Sequence, residues 1–306
     1  MKNVAFFGAG LMGEPIAEHL IDAGYGVTVV CHRNRAPVER LVARGAVEAE
    51  TAGKAAAQTD VALLVLPTSA DVETLVFRPD GIAAGMPEGY LIVDMGTCYP
   101  ADTRALAARI DTAGGRFIDA PVTGGIEGAR AGSLTLMAGG DPAILESIRP
   151  IIETFCHEIY HFGGLGAGHA AKLIQNMVGW IEVAGVAEGL ALAKAMDFDM
   201  DMFFKMLSSS HSNSPIIQWM VPKVLSGAFD DVEFRLDLAF KDIRQAASLG
   251  REESKLPLPV VNAATELFQL ARASGYGSQD STAVVRGLET VLGQEIRDPR
   301  WRKDSD

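Results

Sequence analysis

Asn3-Val-Ala-Phe-Phe-Gly8-Ala-Gly10-Leu11-Met12-Gly13 opens the chain and decides its fold class. Residues 3–7 are a short apolar run of the kind buried in a parallel sheet. Three glycines follow at G-x-G-x-x-G spacing, and Ile16, Ala17, Leu20 and Ile21 then recur with a helical period. In a strand–loop–helix setting each glycine has a physical task. The first permits a tight turn, the second lets backbone approach a pyrophosphate, and the third lets helix and sheet pack closely. The phosphates then meet the amides at the helix N-terminus. Gly8, Gly10, Leu11, Met12 and Gly13 are therefore expected to bind a dinucleotide, within an α/β domain.

Further β/α units extend the pattern. A second strand over 27–31 ends where the fingerprint expects an acidic residue for a ribose 2′-hydroxyl, but the chain reads His32-Arg33-Asn34-Arg35. With no carboxylate to repel a 2′-phosphate and two guanidiniums nearby, NADP(H) is favoured over NAD(H). A solvated basic turn is the competing reading. Strands over 61–66 and 90–94 close on Leu66-Pro67 and on Met95-Gly96-Thr97, at the strand ends where a cofactor lies in this architecture. Thr97 fits a turn or helix cap equally well. A strand over 116–119 leads to Ala120-Pro-Val-Thr123-Gly124-Gly125. There a turn can offer backbone N–H groups and a hydroxyl to a carboxylate, or be an ordinary tight turn.

The texture changes at Gly166-Ala-Gly168-His-Ala-Ala-Lys172-Leu-Ile-Gln175-Asn176, which opens a helical run through 196. A long helix at such a change joins two domains. Lys172, Gln175 and Asn176 lie three and four residues apart and share one helix face, making them candidate catalytic groups. Beyond it the chain reads as helices over 200–208, 216–225, 236–249, 257–273 and 281–292, then a charged tail over 297–306. The expected domains are a dinucleotide-binding domain over 1–164 and an all-helical domain over 165–296. His157-Glu158-Ile-Tyr-His161 matches a zinc-peptidase pattern that works only on a helix. Its residues suit a strand, where histidines four apart are separated by roughly 13 Å, so no metal is expected.

Bulk properties narrow the function. The 306 residues are 48% hydrophobic, enough for two cores. A net charge of −12 argues against a nucleic-acid surface. Three scattered cysteines suggest a reducing compartment. The N-terminus has no signal-peptide pattern and no run looks like a membrane span, so a cytoplasmic protein is expected.

Four blocks together resemble the β-hydroxyacid dehydrogenase family, which includes 3-hydroxyisobutyrate dehydrogenase and tartronate semialdehyde reductase. They are residues 8–17, Asp119-Ala-Pro-Val-Thr-Gly-Gly125, Gly166-Ala-Gly-His-Ala-Ala-Lys172, and residues 234–242. The resemblance covers nearly the whole chain. It implies a Rossmann domain joined by a long helix to an all-helical domain, with the active site between them. It further implies that Lys172 is the catalytic lysine, that Thr97 and Lys241 contact cofactor, and that Thr123-Gly124-Gly125 holds the substrate carboxylate. Phe234 and Asp242 match further substrate-site positions. Two departures matter: Thr123 stands where the family usually has Ser, and Gln175 where it often has Asn. Asn176 is placed to take over that hydrogen bond.

The expected reaction interconverts a small 3-hydroxy acid (3-hydroxyisobutyrate, glycerate or similar) and its semialdehyde. A desolvated lysine beside a cationic nicotinamide has a lowered pKa and suits acid/base work. A homodimer or homotetramer through the helical domain is expected. The rival readings are an imine reductase-like enzyme, which Lys172 argues against, and a non-catalytic nicotinamide-binding module.

Overall fold

Runs of aliphatic residues buried over their whole length, such as Val61–Leu64, make the interior strands. The structure is a computed structural model and describes residues 1–301. In chain order its first part contains β1 (Asn3–Phe7), α1 (Gly13–Asp22), β2 (Gly26–Val29), α2 (Ala36–Ala43), β3 (Val47–Glu48), α3 (Ala52–Ala56) and β4 (Val61–Leu64). These are followed by α4 (Ser69–Phe77), β5 (Leu91–Asp94), α5 (Pro100–Thr112), β6 (Arg116–Asp119), β7 (Val122–Thr123), α6 (Gly125–Ala131), β8 (Leu134–Gly139), α7 (Pro142–Ile152) and β9 (Cys156–Gly163). The long helix α8 (Ala167–Ala195) is succeeded by α9 (Met200–Ser209), α10 (Pro215–Ser226), α11 (Leu236–Leu249), α12 (Pro259–Ala273) and α13 (Val285–Leu292).

The first six strands are parallel, in the order β3-β2-β1-β4-β5-β6. Strand order reverses at β1/β4, the place where open α/β sheets bind ligands. Alternate side chains feed two cores. Phe6, Leu63 and Val93 enter one with Ile16 and Leu20 of α1, while Phe7, Leu64 and Ile92 enter the other with Val72 and Ile110. Beyond β6 the sheet continues through β8, antiparallel to β6 and β7, with β9 parallel to β8 at the edge. β8 is an element the sequence did not announce, because a six-residue apolar run fits a buried strand or a helix segment. Thr123, expected in a turn, is the last residue of β7.

The chain divides into two compact units, Met1–Lys172 and Leu173 onward, later than the boundary expected at 164/165. The first turns of α8 belong with the sheet because side chains of the sheet hold them. The second unit is helical around Val183, Met220, Phe229, Ile243, Phe268 and Val284. In α11, buried Leu236, Ala239, Phe240, Ile243 and Ala247 recur every three or four residues.

Two expectations need correction here. The helix expected over 281–292 begins with a 3₁₀ turn, Ser281–Val284, because buried Asp280 caps it through the Thr282 N–H and hydroxyl. The charged tail expected from 297 is folded through 301. There Asp298 donates its N–H to the Leu225 carbonyl, Arg300 pairs with Asp199 and Asp298, and Trp301 packs edge-on against Phe204 at 5.4 Å. Arg297 and Arg300 find carboxylates at Glu295, Asp199 and Asp298, and the tryptophan has a core to reach. Residues 302–306 lie outside the described residues. Among the described residues no helix is long and apolar enough to cross a membrane.

Candidate functional site

The glycine loop lies between the end of β1 and the start of α1. Gly8 has φ +99°, and a methyl group there would run into the Val65 carbonyl just past β4. A methyl on Gly13 would strike the Gly8 carbonyl and crowd Phe6. Around Gly10, by contrast, space is open, and its N–H donates to Gly8 O at 2.8 Å. The loop is thus pinned at both ends and accessible in the middle, which fits a pyrophosphate approaching backbone amides. Leu11 is exposed and Met12 half-buried within it, while Leu66 and Pro67 lie just past β4, beside the loop's anchor. A nicotinamide dinucleotide would be held here.

The basic turn is divided in its roles. His32 and Arg33 are exposed after β2. Arg35 binds Glu48 at the end of β3 with both terminal nitrogens, at 3.1 and 2.9 Å, and lies 3.3 Å from Glu39. Carboxylates thus engage the guanidinium of Arg35, the residue expected at a 2′-phosphate. Arg33 has no carboxylate partner among the described residues.

Thr97 follows β5 and is half-buried. Thr123 leads into Gly124 and Gly125, with φ +130° and +66°. Space beside Gly125 is open and both glycines are exposed, so backbone is presented outward from this loop.

Lys172 is 8% exposed and ends the sheet unit. The start of its helix is tied down strongly. Asp119, fully buried at the end of β6, accepts the Gly166 N–H at 2.8 Å and the His169 N–H at 2.9 Å. A carboxylate at a helix N-terminus also opposes the positive end of the helix dipole. A methyl on Gly168 would meet the Met137 carbonyl, so the turn rests directly on β8. His169 is buried with its Nδ1 2.7 Å from the Thr103 hydroxyl of α5 and its Nε2 3.7 Å from Asp94 Oδ2.

In the helical unit, Asn176 is buried and donates Nδ2–H to Asp242 Oδ2 at 2.7 Å. Asp242 Oδ1 lies 3.1 Å from Lys241 Nζ. The amide and the two charges thus form one chain, Asn176–Asp242–Lys241. Gln175 is exposed and Asn176 buried. Phe234 stacks on Trp180 with ring centroids 5.3 Å apart. The decoy pair His157 and His161 sits on strand β9, and His161 contacts the Gly140 carbonyl instead.

Sequence reading missed Asp94, Cys98, Thr103, Asp119 and His169 as site features. Asp94, Cys98 and His169 bring a carboxylate oxygen, a thiol and a ring nitrogen within 4.8 Å of one another, all buried. Within the cluster, Asp94 Oδ1 accepts the Gly96 N–H at 2.9 Å, and Asp94 Oδ2 accepts the Cys98 S–H at 3.4 Å. The available signal was an aspartate closing two apolar strand runs, Leu-Ile-Val-Asp94 and Phe-Ile-Asp119, whose ends pair in register.

Burial pushes the Asp119 carboxyl up from 3.8 to about 6, against the lowering effect of the backbone N–H groups of Gly166, His169 and Gly168. The folded protein therefore binds this proton more tightly than the unfolded chain. The associated stabilisation is complete below about pH 4 and is lost as pH rises through about 6. A displacement of that size corresponds to roughly 3 kcal/mol. Compared with Asp119→Asn in denaturant unfolding, the parent should lose that much relative stability between pH 4 and 6 and none above. A pH-independent difference would contradict this.

Comparison with known proteins agrees with this architecture. The family profile described as the NAD binding domain of 6-phosphogluconate dehydrogenase matches residues 3–164. The profile described as NAD-binding of NADP-dependent 3-hydroxyisobutyrate dehydrogenase matches 166–288. The chain is 34% identical to 2-(hydroxymethyl)glutarate dehydrogenase of Eubacterium barkeri, over 96% of this chain and 97% of that protein. It is 33% identical to NAD-dependent L-serine dehydrogenase of Pseudomonas aeruginosa, over 96% and 100%. The crystal structure of 3-hydroxyisobutyrate dehydrogenase from Salmonella typhimurium superposes with a TM-score of 0.87 at 27% identity, covering 94% of this chain and 99% of that one. With both halves matched along nearly its whole length, the chain belongs to the 3-hydroxyisobutyrate dehydrogenase-type family of β-hydroxyacid dehydrogenases, nicotinamide-dependent oxidoreductases.

Proposed function

We propose that this protein interconverts a small 3-hydroxy acid and its semialdehyde, with Lys172 as general acid and base. The observation that carries the reading is the burial of Lys172 on a helix whose first turn is anchored to the nicotinamide-binding sheet. The compounds named for the relatives, 2-(hydroxymethyl)glutarate, L-serine and 3-hydroxyisobutyrate, all carry a hydroxyl on the carbon β to a carboxylate.

A bound nicotinamide supplies or accepts the hydride. In reduction, the Lys172 ammonium gives its proton to the oxygen of the carbonyl as that oxygen becomes an alkoxide. In oxidation, the neutral amine takes the hydroxyl proton. Asn176 has its amide N–H committed to Asp242 and keeps its oxygen to orient the lysine. Lys241, paired with Asp242, and Thr97 are the proposed cofactor contacts, and Gln175 and Phe234 the further proposed active-site residues. The Thr123-Gly124-Gly125 loop receives the substrate carboxylate through its N–H groups and hydroxyl. Initial rates with C3–C5 hydroxy acids and semialdehydes, including 3-hydroxyisobutyrate and glycerate, test the reading, and no nicotinamide turnover across the panel would refute it.

The same panel, run with both cofactors, tests cofactor choice. NADP(H) is the proposed preference, with Arg33 rather than Arg35 on the 2′-phosphate. A charge-assisted hydrogen bond contributes roughly 1.5–3 kcal/mol. Arg33→Ala should therefore reduce the NADP(H)-over-NAD(H) ratio of kcat/KM by roughly ten- to a hundredfold, and Arg35→Ala by much less. A parent preference for NAD(H) would overturn the assignment.

Exposed Ile174, Val178 and Leu192 along α8, with Met196 just past its end, support a homo-oligomer formed through the helical unit, whose mass light scattering would read. Three free cysteines suit the reducing cytoplasm.

A further inference from the structure

We infer that Thr103, His169 and Asp94 form a buried positioning network that couples the Thr97 loop to the helix carrying Lys172. This rests on the proposed role of Lys172. All the groups lie in the sheet unit.

Asp94 and Asp119 end adjacent strands in register, and each is buried. Asp94 holds the Thr97 loop from within, through the Gly96 N–H on one oxygen and the Cys98 S–H on the other. That second oxygen also faces His169 Nε2. Asp119 takes the His169 N–H, so one histidine is reached by both aspartates, one at its ring and one at its backbone. Thr103 fixes the third direction. Its hydroxyl lies 3.1 Å from the Tyr99 carbonyl and 2.7 Å from His169 Nδ1.

His169 lies three residues before Lys172, one turn back on the same helix. Rotation of that first turn would carry the lysine with it. The Asp94 carboxylate therefore sets the loop bearing one proposed cofactor contact and the turn bearing the proposed acid with a single rigid group. Near-attack geometry is sensitive to displacements of about an ångström, which can cost on the order of a hundredfold in rate. A network of this kind governs the chemical step while leaving the phosphate-binding glycines of β1–α1 unaffected.

The test compares Thr103→Val, which keeps the shape and removes the hydroxyl, with Thr103→Ser, which restores it. Each is assayed with succinic, methylmalonic and tartronate semialdehydes and NADPH, alongside NADPH affinity by fluorescence and the melting temperature. Thr103→Val should lower kcat about ten- to a hundredfold with NADPH affinity within about twofold, and Thr103→Ser should recover most of the loss. If Thr103→Val does not fold, His169→Asn against His169→Ala makes the same comparison, since the asparagine amide can replace Nδ1. Equal kcat in Thr103→Val and parent, with Lys172→Ala inactive, overturns the network and leaves the lysine assignment standing. Full activity in Lys172→Ala overturns both. A loss in Thr103→Val that tracks melting temperature and NADPH affinity, with no recovery in Thr103→Ser, reduces the network to a structural support and overturns its positioning role.

Discussion

Lys172→Ala should lower turnover by about two to four orders of magnitude, the usual worth of a positioned general acid or base, with cofactor affinity nearly unchanged. The side chain is buried at the last position of the sheet unit, on α8 and not on the glycine loop of β1–α1, so its removal leaves the glycines of that loop unchanged. Lys172→Arg separates proton transfer from charge. Arginine keeps the positive charge but cannot be deprotonated in a protein, so it cannot cycle a proton. It should be nearly as impaired as alanine. Activity near the parent level in Lys172→Arg would mean that the lysine serves only as a cation. A tenth or more of the parent rate in Lys172→Ala would remove it from the chemistry altogether.

A substrate stripped of its negative charge should be the next most damaging change. The loop Thr123-Gly124-Gly125 turns its glycine backbone outward at positive φ, and the space beside Gly125 is open. Two charge-assisted hydrogen bonds to a carboxylate contribute roughly 1.5–3 kcal/mol each. Their loss would cost about 3–6 kcal/mol of transition-state binding, a factor of hundreds or more in kcat/KM. The methyl ester or primary amide of a reactive acid should therefore turn over far more slowly at equal size. Equal kcat/KM for acid and amide would make the loop an ordinary turn and move the search to neutral aldehydes.

Much of the fold was legible because it rests on local pattern. The strand before Gly8, the helix after Gly13 and the change of texture at Gly166 are each written within a dozen residues. Strand β8 was not, since Leu-Thr-Leu-Met-Ala-Gly carries no period that separates a buried strand from a helix turn. The site divides in the same way. Among the candidates, Gly8, Lys172 and Asn176 stand out by motif or spacing, and Thr97 only through the family resemblance. The Arg35–Glu48 pair does not, because Glu48 reaches Arg35 only once β2 and β3 lie side by side. Nor does the meeting of Asp94, Thr103 and His169, whose positions are far apart in sequence and adjacent only after β5, α5 and α8 have packed. Chemistry that depends on burying a charge, as at Asp119, is invisible until the burial is known.

The most direct measurement uses NADPH deuterated at the transferable position of the nicotinamide, mixed with the protein and the most reactive semialdehyde of the panel, with the product read by mass spectrometry. The expected product is the 3-hydroxy acid carrying one deuterium on its hydroxyl-bearing carbon, formed at a rate that collapses in Lys172→Ala. Product without the label, or labelled product formed equally fast by Lys172→Ala, would contradict hydride transfer with Lys172 as its acid.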